Sequence, residues 1–183
     1  DMLENEIEIR KATTQDATSI ALLGRITFDD TFGQLFTYRS EFLDYLDRTF
    51  SVDKIHSSIE KKNNTFWIAF HNKLPVGYAK LKNHSPIDKK DIALQEQAQL
   101  QKIYVLRDYQ SLKIGAKLLE NVIHETTLNN TSYLWLVALS TNIKALKFYN
   151  NHNFKFYKKH HFSIGSNDFE FDLMIKKMTY ENH

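Results

Sequence analysis

The chain has 183 residues, 42% of them hydrophobic and 25% charged, the composition of a soluble globular protein large enough to bury a core. A formal net charge of +2 gives no support to a nucleic-acid or membrane-surface role, and the lack of cysteine excludes disulfides, thiolate zinc sites and a cysteine nucleophile. No apolar run approaches the about 20 residues that span a bilayer, and the acidic start lacks a signal-peptide core. We therefore expect one domain over residues 1–183, cytoplasmic, with no membrane or nucleic-acid partner.

The first part of the chain is predicted to form one strand and three helical stretches. Ile7 and Ile9 alternate with charged residues, as in a strand with one buried face. Thr13 or Thr14 can cap the first helix, and Ser51 can begin the third.

Residues 27–36, at the end of the first helix, alternate aromatic side chains with a pair of carboxylates. Phe28 and Phe32 are predicted to pack inward. Asp29 and Asp30 are expected to be solvated, and a functional interpretation of them needs a cationic ligand nearby.

The middle of the chain carries the clearest hairpin signal. Residues 65–70 and 76–81 are apolar runs separated by His-Asn-Lys-Leu-Pro, which predicts two antiparallel strands. The polar residues 82–94 predict an exposed loop. His84 in this loop could act as a base, but a loop histidine is more often simply solvated.

Residues 99–119 are predicted to form a buried strand, a short polar loop and the first turns of a helix. A tight loop at a helix N-terminus leaves backbone N–H groups free to hold an anion such as phosphate. The pattern fits either a plain strand–helix connection or a cofactor cradle.

The last part of the chain predicts a buried strand, a helix and two more strands. Residues 132–140 form an almost unbroken apolar run, which is typical of a strand covered on both faces. Thr141 or Asn142 can cap the next helix, and strands at about 154–164 and 169–177 follow. Hairpins and crossovers in one chain imply a mixed sheet covered by helices.

Two motifs in this element order resemble the GNAT family of N-acetyltransferases. The family's loop reads Gln/Arg-x-x-Gly-x-Gly/Ala, and Gln110 and Gly115 match its first and last positions. The later helix of the family reads Asn-x-x-Ala-x-x-Phe-Tyr, and four residues match it in full: Asn142, Ala145, Phe148 and Tyr149. The resemblance implies a single-domain α/β fold with a mixed central sheet of about seven strands flanked by helices, in the order β-α-α-β-β-β-α-β-α-β-β.

Two positions depart from the family pattern. Asn153 stands where the family has Gly before Phe154, and Asn tolerates the left-handed conformation that is common there. Lys113 stands in place of the first Gly of the loop. With helical backbone angles its ammonium could pair with a coenzyme phosphate, whereas a positive φ would strain it and weaken coenzyme affinity.

The resemblance implies that acetyl-CoA is the cosubstrate and that no metal takes part. The backbone of residues 103–105 would hydrogen-bond the pantetheine arm, and the loop amides would hold the pyrophosphate. The implied coenzyme-binding residues are Ile103, Tyr104, Val105, Gln110, Ser111, Leu112, Lys113, Ile114, Gly115, Ala116, Asn142, Ala145 and Tyr149.

The implied reaction is direct attack of a primary amine on the acetyl carbonyl. It needs an uncharged amine, a donor for the developing oxyanion and an acid for the leaving thiolate. A backbone N–H near Tyr104 or Val105 can be the donor, and Tyr149 is the candidate acid, with a core tyrosine as the alternative interpretation. Asn142 either orients the coenzyme or simply caps its helix.

The sequence does not assign the general base to one residue. Relatives often carry Glu where Gln99 and Gln101 stand, and glutamine cannot take a proton, although both side chains could hydrogen-bond an acceptor. Deprotonation could instead pass through ordered water, Glu96, His84 or Asp30.

A second, more specific resemblance bears on the identity of the acceptor amine. The segment Thr-Phe-Asp-Asp-Thr-Phe and the last strand look like the PaiA type, polyamine N-acetyltransferases, which implies a small polyamine such as spermidine or spermine. Side chains that could attract a polycation are Asp29, Asp30, Asp44 and Asp47, although solvated helix surfaces explain them equally well.

Other possibilities stay open beside this one. They are a non-catalytic or regulatory acetyl-CoA-binding protein of the same fold, and an acetyltransferase acting on a protein amine or an aminoglycoside. His160 and His161 are adjacent on a predicted strand, so they point to opposite faces and do not predict a shared metal. A homodimer fits the habit of many relatives, but no surface in the sequence indicates it.

Overall fold

The computed structural model describes residues 6–90 and 96–178, and it contains seven strands and five α-helices in that part. The strands are β1 (Ile7–Lys11), β2 (Asn64–His71), β3 (Leu74–Lys82), β4 (Gln97–Val105), β5 (Tyr133–Leu139), β6 (Lys155–Ile164) and β7 (Asn167–Lys177). The helices are α1 (Ala17–Phe32), α2 (Arg39–Thr49), α3 (Val52–Glu60), α4 (Ile114–Leu128) and α5 (Ile143–Asn151). Three helices follow β1, as the residue pattern predicts, whereas the order implied by the resemblance has two.

The strands form one mixed sheet in the order β1-β2-β3-β4-β5-β7-β6. β4 pairs with β5 in parallel, and α4 provides the crossover that such a pair requires. The pairs β1–β2, β5–β7 and β6–β7 are antiparallel. The mixed seven-stranded sheet flanked by helices confirms the predicted fold class.

The described residues fall into two compact units. The first comprises residues up to 81 together with 102–122, and the second comprises 82–101, apart from the undescribed 91–95, and the residues from 123 onward. The first unit buries Ile20, Phe42 and Ile68 completely, and the second buries Leu134 and Phe154 completely.

Local sequence signals explain how the elements begin and end. Thr13 and Asp16 form a reciprocal capping box before α1, and the hydroxyl of Ser51 accepts a hydrogen bond from the Lys54 N–H at 3.1 Å at the start of α3. Asn130 and Asn153 end α4 and α5 with φ of 55° and 70°, which confirms that Asn replaces Gly at these positions.

The hairpin and the aromatic segment also agree with the sequence. Asn72 and Lys73 connect β2 and β3 with φ of 48° and 71°, as in the two-residue turns that suit twisted hairpins. Phe28 and Phe32 are buried, and their rings stack with centroids 4.4 Å apart. The predicted loop 82–94 begins within β3, and its residues 91–94 lie outside the described ranges.

Among the helices of residues 6–90 and 96–178, none combines the length and the hydrophobicity needed to cross a bilayer.

Candidate functional site

The second half of β4 presents backbone without a strand partner on one edge. The register between β4 and β5 covers only Gln97, Ala98 and Gln99 of β4, although the strand continues to Val105. On this edge the residues 103–105 therefore have no partner strand in the part of the chain that the structure describes. Strand edges of this kind bind extended ligands through main-chain hydrogen bonds.

On its other edge, the second half of β4 lies unusually close to β3. A Cβ added to Gly77 would lie 2.9 Å from the Tyr104 carbonyl oxygen, so only glycine allows the two strands to approach this closely. The Leu106 N–H then donates to the Val76 carbonyl at 2.8 Å, just beyond the end of β4. These contacts fix the position at which the chain leaves the strand.

The predicted loop is a 3-10 turn, Arg107–Leu112, followed by α4. The side-chain amide of Gln110 donates to the Val105 carbonyl at 3.2 Å and thereby ties the loop to the end of β4. The first N–H groups of α4, from Ile114 to Ala116, have no carbonyl one turn earlier in the helix to accept their hydrogen bonds. They can bind an anion, which agrees with the cradle interpretation of this segment.

Lys113 adopts the left-handed conformation, with φ of 61° and ψ of 25°. Of the two alternatives stated for this residue, the structure therefore has the strained one. A non-glycine residue in this region carries a conformational penalty of about 1–2 kcal/mol. Its side chain is exposed, as are Ser111 and Gln110, whereas Leu112 is half-buried.

The second motif lies in the second unit, at the start of α5. The Asn142 side-chain oxygen accepts a hydrogen bond from the Ala145 N–H at 3.2 Å, so Asn142 is an N-cap, the simpler of its two predicted roles. Tyr149 is half-buried, and its ring lies 5.4 Å from that of Phe148 and 5.8 Å from that of Phe154, measured between centroids. The phenol ring is thus bordered by two aromatic neighbours.

Gln99 and Gln101 hydrogen-bond to each other. The Gln101 amide nitrogen donates to the Gln99 side-chain oxygen at 3.1 Å, because residues two apart on a strand share one face. The other predicted base candidates are less constrained: Glu96 and His84 are exposed, and His84 has a φ of 51°.

The four aspartates that could attract a polycation all have arginine partners. Asp30 lies 3.5 Å from Arg107 of the loop after β4, and Asp29 lies 3.9 Å from Arg39. The other two pairs are tighter: Asp44–Arg48 at 3.0 Å within α2, and Asp47 of α2 with Arg25 of α1 at 2.9 Å. Asp30 is thus placed beside the candidate anion-binding loop.

The sequence did not indicate a polar network at the end of β5. The Asp172 carboxylate accepts hydrogen bonds from the Ser140 hydroxyl at 2.7 Å and from the Lys159 ammonium at 2.6 Å. Burial opposes ionisation of Asp172, but the hydrogen bonds from Lys159 and Ser140 outweigh it and lower the pKa of this carboxyl. A low pKa makes Asp172 a weak base.

His160 and His161 do not form a metal site. They are neighbours on the exposed strand β6, and His161 lies 3.9 Å from Glu170. Within residues 6–90 and 96–178, no three His, Asp or Glu side chains converge in the way that a metal ion would require.

Comparison with known proteins gives concordant matches. The model of the acetyltransferase (GNAT) family matches residues 30–154. An uncharacterized N-acetyltransferase in the pepI 3′ region of Lactobacillus delbrueckii subsp. lactis is 23% identical over 175 residues, which covers 93% of this chain and 96% of the relative.

Two solved structures illustrate the similarity of fold. The PaiA N-acetyltransferase from Thermoplasma acidophilum, in complex with coenzyme A, has a TM-score of 0.76 at 22% identity, with 94% of this chain and 99% of that chain covered. The Salmonella typhimurium protein yncA, solved with its cofactor acetyl-CoA, has a TM-score of 0.69 at 14% identity, with 98% of both chains covered.

The substitution Lys113→Gly should raise the free energy of unfolding by about 1 kcal/mol, because glycine adopts the left-handed conformation without steric penalty. Urea unfolding monitored by circular dichroism measures the change. The matched control is Lys117→Gly, on an exposed position inside α4, which should lower the free energy of unfolding by about 1 kcal/mol. Destabilisation by both substitutions would contradict strain at Lys113.

The substitution Asn142→Ala should lower the free energy of unfolding by about 1 kcal/mol, because the Ala145 N–H loses its side-chain acceptor. Asn142→Asp keeps a cap oxygen and should stay close to the wild-type stability. The same urea titration measures both variants. Equal losses in the two would show that the amide nitrogen of Asn142, and not the cap, stabilises this region.

Proposed function

Because the chain belongs to the acetyltransferase (GNAT) family, it is an N-acetyltransferase, and we propose that it moves the acetyl group of acetyl-CoA directly to a primary amine of a small molecule. We further propose that residues 1–183 act as one N-acetyltransferase domain. The two solved structures match nearly the full length of the chain, which supports this extent.

The observation that carries the proposal is the unpartnered edge of β4 at residues 103–105, directly before a loop whose helix presents free N–H groups. An extended pantetheine arm with amide groups can hydrogen-bond such an edge as an added strand would. A pyrophosphate needs donors and positive potential, and both are available at residues 110–116. Lys113 and Arg107 add cationic side chains there, Arg107 while paired with Asp30.

Tyr149 is the proposed catalytic acid. Direct transfer forms a bond between the amine nitrogen and the acetyl carbon and breaks the bond between that carbon and sulfur. The phenol of Tyr149 donates its proton to the departing sulfur, and a backbone N–H near Tyr104 or Val105 stabilises the oxyanion. The full match of the α5 motif supports this role, together with the position of the Tyr149 ring between those of Phe148 and Phe154.

Water is the proposed acceptor of the proton that the amine loses. The glutamines at positions 99 and 101 cannot accept it, and they satisfy each other by a hydrogen bond. Asp30 is proposed to bind the acceptor and not to deprotonate it, and the hydrogen bonds to Asp172 lower the pKa of that carboxyl. An acceptor amine is therefore expected to lose its proton to solvent as it is desolvated on binding.

A small polyamine is the proposed acceptor. The similarity to the PaiA fold supports it, together with the aspartates Asp29 and Asp30 at the end of α1. Their arginine partners stand at 3.9 and 3.5 Å, and exposed ion pairs of this kind contribute only about 0–1 kcal/mol. A polyamine ammonium can therefore replace the guanidinium groups at small cost.

Release of coenzyme A should be observed with spermidine and spermine and should be much slower with lysine peptides and aminoglycosides. The measurement is steady-state thiol release from acetyl-CoA against each amine. Asp30→Asn should raise KM for spermidine by about fivefold at constant kcat, because about 1 kcal/mol of ion pairing is lost. Asp53→Asn, an exposed carboxylate on α3, is the control and should change neither constant. Turnover confined to the peptides or aminoglycosides would reject the polyamine.

Tyr149→Phe should lower kcat by about 100-fold with the affinity for acetyl-CoA unchanged, because the leaving sulfur loses its proton donor. Turnover and calorimetric binding of acetyl-CoA separate the two effects. The matched control is Tyr157→Phe, at an exposed tyrosine of β6, which should retain full activity. An unchanged kcat in Tyr149→Phe would reject the acid role and leave Tyr149 as a core residue.

A further inference from the structure

The first unit contains a cavity of about 90 Å³ that is lined by none of the residues proposed for coenzyme or acceptor binding. The end of α2, one face of α3 and the strands β2, β3 and β4 enclose it. Its volume is several times the about 10–15 Å³ that one water needs, so a group of several atoms fits. We call it the lysine-lined cavity, because three of its lining side chains are lysines: Lys54, Lys80 and Lys102. No carboxylate is among its lining residues.

Lys102 is the most constrained of these cations. It lies on β4 and is partly buried, and its ammonium is 5.4 Å from the centre of the Phe50 ring, which also lines the cavity. Burial lowers the pKa of Lys102 to about 8, so the side chain still carries its charge at neutral pH. No carboxylate in the described ranges forms an ion pair with it. A desolvated cation of this kind is stabilised most effectively by a bound anion.

Tyr78 lies on the wall of the same cavity. Only 1% of it is exposed, its hydroxyl makes no hydrogen bond of ordinary geometry among the residues described, and Thr27 is the side chain that interacts weakly with it. A buried hydroxyl that is incompletely satisfied keeps the capacity to donate to a ligand. The cavity wall thus carries a cation without a carboxylate partner among the described residues and a buried hydroxyl that can still donate.

We propose that the lysine-lined cavity binds a small oxyanion, a carboxylate or a phosphate, through the Lys102 ammonium and the Tyr78 hydroxyl. Lys54 and Lys80 add positive potential at the same cavity, and Lys80 lies 5.6 Å from the centre of the Phe66 ring on its wall. An oxyanion fits this set because its separate oxygens can accept from an ammonium and a hydroxyl at once. The site is distinct from the proposed coenzyme cradle, which uses backbone N–H groups of α4.

The test uses the whole protein without acetyl-CoA or amine. Because the proposed coenzyme cradle can itself bind phosphate, a rise is assigned to the lysine-lined cavity only where Lys102→Met weakens it. Sodium phosphate and sodium acetate are titrated separately at constant ionic strength, with chloride as the balancing anion, and the midpoint of thermal unfolding is recorded. We expect a saturable rise of several degrees with one of the two anions, which identifies whether phosphate or carboxylate is bound. A rise that does not saturate, or none with either anion, overturns the proposal.

Variants locate the binding site. Lys102→Met should weaken the anion affinity at least tenfold, and Tyr78→Phe should weaken it a few-fold. Lys62→Met, at an exposed lysine of the same unit, should match the wild type. Equal affinities in Lys102→Met and Lys62→Met overturn the proposal.

A measurement on the wild-type protein covers the case in which Lys102→Met does not fold. The resonance of the Lys102 side chain is identified by its loss in Lys102→Arg, which keeps the charge, and is followed through a pH titration by NMR. Bound oxyanion should raise the pKa of Lys102 from about 8. Lys54 and Lys80 are the other charged groups at the cavity, and Tyr78 is the remaining titratable one. A pKa that does not respond to either anion rejects the site.

Discussion

The early end of the ladder between β4 and β5 is the constraint on which the proposed chemistry depends. Pairing covers β4 only as far as Gln99, so the main-chain groups of residues 103–105 are left for a ligand on that edge. Substitutions other than proline keep the backbone N–H and C=O groups, and recognition of an extended amide ligand by these groups needs no particular side chain. This explains why a chain that departs from the family pattern at Lys113 still has the elements of the site.

Around this edge, the chain uses glycine, caps and hydrogen bonds to fix the backbone. Gly77 permits the close approach of β3, and Gln110 binds the carbonyl at the end of β4. Lys113 then turns the chain into α4 at a positive φ. The turn is strained, and the stability of the surrounding elements maintains it. The chain therefore makes this left-handed turn with lysine, a residue that is strained in it.

The first unit contains charged side chains in two different environments. Asp29 and Asp30 are exposed near arginines, where solvent screens them and a cationic ligand can compete. Lys102 is placed near the Phe50 ring and other lysines, and no carboxylate within residues 6–90 and 96–178 forms an ion pair with it. The two proposed ligands differ accordingly: an amine at the end of α1 and an oxyanion at the lysine-lined cavity.

The sequence by itself determined the identity of the elements and the family motifs, because these depend on local periods and spacings. Alternation predicted β1, helical spacing predicted α4, and Asn153 was predicted to replace the usual glycine before Phe154, as its positive φ confirms. The N-cap at Asn142 also follows from residue type alone. Only the tertiary structure decided the backbone angle of Lys113, the arginine partners of the aspartates and the burial of Lys102. Asp30 meets Arg107 and Lys102 meets Phe50 only after the chain has folded, because these partners are distant in the sequence.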